Sequence, residues 1–221
     1  MSRNIWFCSD THFGHANIIK YSHRPFASVE EHDAILIENW NNLVMERDEI
    51  FFLGDLMYRN KAATESLRKR LNGQIYFIQG NHDASAFAIR NTFAWYKDVY
   101  EAKLPYAPLG SVRITMSHYA HRVWNKSHHG AWHLYGHSHA SLPDDKNSLS
   151  FDVGVDNTAM RLSGSPLYGT GQIDTTPGLL QQQDYRPINL DEVAAVMKTK
   201  SFAPIDHHGR DRRTQTIEGE E

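Results

Sequence analysis

Seven residues of this chain have the types and placement to hold two divalent cations. Asp10 and His12 stand two apart just after the apolar run 5–8. Asp55 follows the run 50–53 and Gly54, and Asn81 sits in Gly80-Asn81-His82-Asp83 after the run 75–78. His118 closes the run 112–116 and Ser117, while His137 and His139 flank Ser138 after the run 132–135 and Gly136. In an extended turn, residues two apart direct their side chains to one side, so Asp10 and His12 can share an ion and His137 and His139 can point into one cavity. Taken singly, Asp10 could cap the following segment and the two histidines could be surface residues. The recurrence of one grammar, an apolar strand running into Asp, Asn or His, argues for converging loops.

The chemistry of the set follows from its donors. Two ions about 3.5–4 Å apart need a shared carboxylate and roughly seven protein ligands. Mixed oxygen and nitrogen ligation favours manganese, with iron, zinc, cobalt or nickel as alternatives, because magnesium uses fewer imidazoles. The single cysteine, Cys8, lies inside an apolar run, which excludes both a disulfide framework and a thiolate zinc knot. A phosphate bound across two ions would be attacked in line by a water or hydroxide held between them. His82 is left over from the ligands and is free to protonate the leaving oxygen or bond a phosphoryl oxygen, with Asp10 as an orienting partner. Asp10 and Asp55 thereby join His82 as the catalytic candidates.

The elements that must position these residues are an alternation of apolar strands and helices. Apolar residues at consecutive strand positions predict a sheet covered on both faces. Ser28 and Glu31 form a capping-box pattern ahead of a helix with Ile35, Leu36, Trp40 and Leu43 on its stripe. A second helix is expected over 61–71, with Arg68, Lys69 and Arg70 on a solvated face, and Asn189 with Glu192 starts a last one. The run 151–155 reads as a further strand. Residues 1–200 are expected to form one domain with a surface insertion at 163–183, rich in Gly, Ser, Thr, Pro and Gln, and 201–221 a loose tail. With 221 residues, a net charge of -3, no long apolar segment and no leader pattern, the chain is expected to be soluble and cytoplasmic. The charge argues against a general nucleic-acid coating role, and nothing sets the oligomeric state.

The ordered blocks DTH at 10–12, GD at 54–55, GNHD at 80–83, His118 and GHSH at 136–139 resemble those of the calcineurin-like metallophosphoesterase superfamily. The stretches DTHFGHANII, SHHGAWHLYGHSHA and YRPINLDEV are similar to small bacterial and bacteriophage phosphoesterases of that superfamily. The resemblance implies a four-layer αββα sandwich with two central mixed sheets. It also implies that Asp55 bridges both ions, that Asp10, His12 and His139 complete one shell, and that Asn81, His118 and His137 complete the other. His82 matches the family's histidine near the leaving group.

The leading expectation is thus a binuclear metal-dependent phosphohydrolase acting on a phosphate-ester small molecule or nucleotide. A phosphodiester is preferred, because Arg59, His15, His121, Arg122 and His128 could hold a second part of the substrate. Alternatives are a phosphomonoesterase or protein phosphatase, a nuclease or nucleotide phosphodiesterase, and a non-catalytic metal-stabilised binding protein.

Overall fold

Strands carrying Ile, Phe, Trp and Val recur along the chain, and they assemble into two sheets. A computed structural model describes residues 3–202. In chain order, β1 (Ile5–Cys8), α1 (Ala16–Tyr21), α2 (Val29–Leu43), β2 (Glu49–Phe52), α3 (Lys61–Arg68), β3 (Gln74–Ile78), α4 (Ala84–Phe87) and β4 (Trp95–Lys97) come first. They are followed by β5 (Val99–Tyr106), β6 (Gly110–Ser117), β7 (Trp132–Tyr135), β8 (Ser150–Asp152), α5 (Val155–Leu162), β9 (Ile188–Asn189) and α6 (Leu190–Met197).

The first sheet has the order β4-β3-β2-β1-β9, parallel except for the antiparallel edge strand β9. The second has the order β5-β6-β7-β8, with an antiparallel β5–β6 hairpin and parallel pairing beyond it. Side chains alternate between faces along a strand, and the two apolar clusters follow that period. Phe7, Phe51, Leu53 and Ile78 point at Ile114, Met116, Leu134 and Phe151 of the second sheet. Trp6, Cys8, Ile50, Phe52, Ile75 and Phe77 point the other way, onto Leu36, Trp40, Leu67 and Ala159 from the helices. The fold is the expected layered α/β sandwich with two central mixed sheets.

Two local expectations change. β8 ends at Asp152, and Gly154 instead N-caps α5, whose Val155, Ala159 and Met160 make a helical stripe against the first sheet. Two valines in alternation look like strand, but the spacing of four to Ala159 decides for helix. α3 stops at Arg68, whose guanidinium turns back onto the carbonyls of Leu71 (3.0 Å) and Gly73 (3.2 Å). Arg68 therefore satisfies carbonyls beyond the helix end rather than sitting on a solvated face. Residues 163–183 run through turns and are tied down at Gln182, whose amide donates to Pro25 O at 2.7 Å and Glu31 Oε1 at 3.1 Å. Of the expected tail, residues from 203 onward lie outside the described residues. No helix among the described residues is long and apolar enough to cross a membrane.

Candidate metal centre

Parallel strands end at one edge, so the loops leaving β1, β2, β3, β6 and β7 meet there. The loops are stitched backbone to backbone: Asp10 N donates to Gly54 O (3.0 Å), His12 N to Asp55 O (3.0 Å), and Gly136 N to His118 O (2.9 Å). Left-handed backbone, which costs a non-glycine residue roughly 1–2 kcal/mol, occurs at Asp10, His12, Asp55, His137 and His139. Close approach also demands glycine. A Cβ on Gly80 would lie 2.3 Å from Asp55 Oδ1, and one on Gly136 would lie 2.0 Å from Ser9 Oγ.

Two groups of donors result. Asp10, His12 and His139 form one and Asp55, His118 and His137 the other, each with donor atoms within 4.8 Å of one another. Asp55 Oδ2 lies between them, 3.5 Å from His12 Nε2 and 3.6 Å from His118 Nε2. Asn81 Oδ1 completes the second group, 2.9 Å from His118 Nε2 and 3.1 Å from His137 Nδ1. Ligands about 2.1 Å from a common ion lie about 3–3.5 Å apart, so these spacings suit ions at the two centres.

The unsatisfied atoms point the same way. Buried Asp10 Oδ1 and both ring nitrogens of buried His12 have no hydrogen-bond partner. His118 donates Nδ1–H to Leu53 O at 2.7 Å, which leaves the Nε2 lone pair facing the oxygens of Asn81 and Asp55. Acceptors aimed at acceptors in a buried site cost energy unless a cation lies between them. The residues present therefore fit a pair of divalent ions.

Behind the donors stands a buried support. Asp156 accepts His139 Nδ1–H at 2.7 Å and pairs through both oxygens with Arg24 at 2.8 and 2.7 Å. Arg24 also donates to the carbonyls of Asp10 (2.7 Å) and Thr11 (3.0 Å) and to His32 Nε2 (2.8 Å). His32 in turn donates to Asp33, whose carboxylate accepts Gly14 N at 2.9 Å. Asp83 clasps the other loops, accepting the amides of Asp55 (2.7 Å), Leu56 (2.9 Å) and Gly80 (2.7 Å). Sequence reasoning missed Arg24, His32 and Asp156 as supports. Asp83 was visible inside GNHD, but its role as a clasp was not.

Electrostatics match this layout. Burial, reinforced by the Asp55 charge, pushes the Asp10 carboxyl up to about 7. Burial pulls His12 well below the ordinary imidazole value, and the charge of His139 adds to that. Burial also works against charged His139, but the hydrogen bond to Asp156 and the charges of Asp10 and Asp156 overcome it and raise the imidazole to about 9. Two cations would displace these protons and leave anionic and neutral donors in place.

The remaining predicted residues divide. His82 is exposed, donates its backbone amide to Asp55 Oδ1 at 2.8 Å, and sets its ring edge-on to His12 (5.6 Å) and Tyr58 (5.8 Å). Asp10 Oδ2 is taken by Ser9 Oγ (2.7 Å) and His137 N (2.8 Å), while Tyr58 packs against the His82 ring. His15 reaches the rim, stacked on Tyr58 at 4.6 Å and 5.7 Å from the His12 ring. Arg59 is exposed and lies across Gly14. His121 and Arg122 line a separate cavity of about 400 Å³ beside the centre. His128 does not line that cavity; it lies in the tight turn Ser127–His129, closed by left-handed Lys126 and Gly130, with its ring 4.1 Å from His129.

Residues 4–157 match the calcineurin-like phosphoesterase superfamily domain. The chain is 41% identical over 145 residues to an uncharacterised protein of Methanocaldococcus jannaschii, covering 65% of this chain and 73% of that one. It is 26% identical over 178 residues to the Gene 66 protein of Mycobacterium phage D29, covering 69% and 88% respectively. Among solved structures, a protein of unknown function from Aquifex aeolicus superposes with a TM-score of 0.57 at 18% identity. That alignment spans 88% of this chain and 100% of the other, and it shows a shared fold.

Proposed function

Because the chain belongs to the calcineurin-like phosphoesterase superfamily, we propose that its centre is a binuclear metal-dependent phosphohydrolase site, with a phosphodiester as the preferred substrate. The observation that carries this reading is the position of Asp55 Oδ2, 3.5 Å from His12 Nε2 in one group and 3.6 Å from His118 Nε2 in the other. Asp10, His12 and His139 are the ligands of one ion, and Asn81, His118 and His137 of the second. Asp55 belongs to both. Manganese suits this set best, for the reason that four neutral imidazoles with carboxylate and amide oxygens are hard-to-borderline donors. Ions bound there would neutralise phosphoryl oxygens and acidify the attacking water.

The chain's own residues do the rest. Asp156 and Leu53 O hold His139 and His118 in the tautomers that leave Nε2 free. His82, exposed above His12, presents an imidazole that delivers a proton to the leaving oxygen. Arg59 supplies an accessible cation at the rim on the His12 side. Metal-stripped protein reconstituted separately with manganese, zinc, iron and magnesium, and assayed on paired monoester and diester substrates, tests the proposal. Asp55→Asn should lose at least about 100-fold in activity and weaken both ions while staying folded. Equal background release by wild type and variant would refute it.

A further inference from the structure

The cavity beside the centre is built by the same loops that carry the donors. Ala120 and His121 follow His118 by two and three residues, Tyr135 precedes His137 by two, and Leu142 follows His139 by three; all four line the cavity. At no more than about 3.6 Å per residue, each wall lies within about 11 Å of a candidate ligand. Exposed Tyr119 joins His118 to Ala120 in the chain, its ring 4.6 Å from His137 and 5.1 Å from His118.

The walls are made to last. The outer face of β7 presents His133, which stacks on His121 at 4.8 Å and Trp124 at 5.3 Å. His133 accepts the His121 amide at 2.9 Å and donates to Thr115 O at 3.1 Å. Trp124 Nε1–H is held by Ala131 O at 2.9 Å, so the indole is fixed in place. The far wall is held by Lys200, which donates to Ser150 O at 2.6 Å, and by Ser201 N, which donates to Lys146 O at 2.9 Å; the next residue, Phe202, reaches the cavity.

Its lining mixes two chemistries. Val123, Leu142 and Phe202 are exposed apolar side chains gathered at one opening, and Trp124 adds a ring. Arg122 is exposed there too, and Ser127 has a buried hydroxyl without a partner. An apolar, aromatic slot edged by the Arg122 cation, the Asp145 carboxylate and an unused hydroxyl suits a planar ring with polar edges. About 400 Å³ accommodates a group of nucleoside size.

We infer that this cavity is a subsite for the organic arm of the substrate, and that the arm is a nucleoside whose phosphate reaches the centre past Tyr119. The inference rests on the phosphohydrolase reading and specifies its substrate class. The occupant is placed by continuity: an arm leaving a phosphate held at His118 and His137 meets Tyr119 first and the slot next.

Thymidine 5′-monophosphate and methyl phosphate share a phosphate and differ only in the arm, so their dissociation constants from manganese-loaded full-length protein test the idea by calorimetry. Thymidine 5′-monophosphate should bind about 5- to 150-fold tighter, the range for one stacked base. In Leu142→Glu and in Arg122→Ala, both surface changes, that ratio should collapse towards one. Equal affinities in wild type, or a ratio untouched by both variants, would overturn the inference while leaving the phosphohydrolase reading intact. If neither phosphate binds, that reading has failed. Thymidine alone then decides the cavity through the Trp124 indole N–H resonance, assigned with Trp124→Phe: a shift lost in Leu142→Glu upholds it, and no shift overturns it. A deoxythymidine hexamer binding tighter than the mononucleotide identifies a strand as the source of the arm, and equal binding identifies a free nucleotide.

Discussion

Each oxygen of Asp55 has a separate task. Oδ1 fixes the backbone of His82, and Oδ2 faces both donor groups. His82 is thus attached to the centre by its main chain while its ring stays outside the ligand set. His82→Ala should cut turnover by about 10²–10⁴ and leave two ions per chain by elemental analysis; loss of both ions would contradict that division. Asp156→Asn should weaken the ion at Asp10, His12 and His139 by about 10- to 100-fold, seen in a metal titration as two unequal steps. A titration with two unaltered steps would deny Asp156 a positioning role. The seven candidate ligands were legible because each follows an apolar run that local pattern exposes. Arg24 and Asp156 were not, since they meet across 132 positions and neither carries a local signature.

At the scale of elements, β7 serves two masters. Its inward residues Trp132 and Leu134 fill the inter-sheet core, and its outward His133 anchors the 119–131 segment over the second sheet. Burial lowers this imidazole from 6.5 to about 4 and the neighbouring His121 charge adds to that, against the hydrogen bond to Thr115 O, which favours the charged ring. A depressed folded value means that the unfolded chain takes up the proton first. The stability contributed by His133 is therefore intact above 6.5 and lost as pH falls toward 4. Relative to His133→Gln, wild type should lose on the order of 3 kcal/mol over that window, read from urea midpoints. A constant difference between the two proteins would remove His133 as the cause. β1, β2, β3, β6, β7 and β8 were readable from apolar runs, whereas β4 and β5 were not; nor was α5, since a valine pair followed by polar residues reads as strand until Ala159 and Met160 are seen packed on the first sheet.

For the whole molecule, the centre is a closing device between loops from both sheets. Its unpaired Asp10 Oδ1 and His12 nitrogens and its left-handed residues are costs borne by the ion-free protein. Each ion at about 100 times its dissociation constant should add about 2.7 kcal/mol, or roughly 5–10 °C in Tm for a chain of this size. Scanning calorimetry with and without chelator measures this, and identical melting would mean that no ion binds the native state. The layered fold was legible in outline, whereas the pairing of β9 with β1 across most of the chain was not, because a two-residue strand has no pattern of its own.

Arg24 has one more consequence, in the order of synthesis. Every candidate ligand has been translated by His139, but Arg24 and His139 find their common partner only at Asp156. A nascent chain halted near residue 145 would carry all seven donors and still lack the carboxylate that neutralises a fully buried guanidinium. Metal capture would therefore be a late event in the life of the polypeptide, after the ribosome has delivered α5.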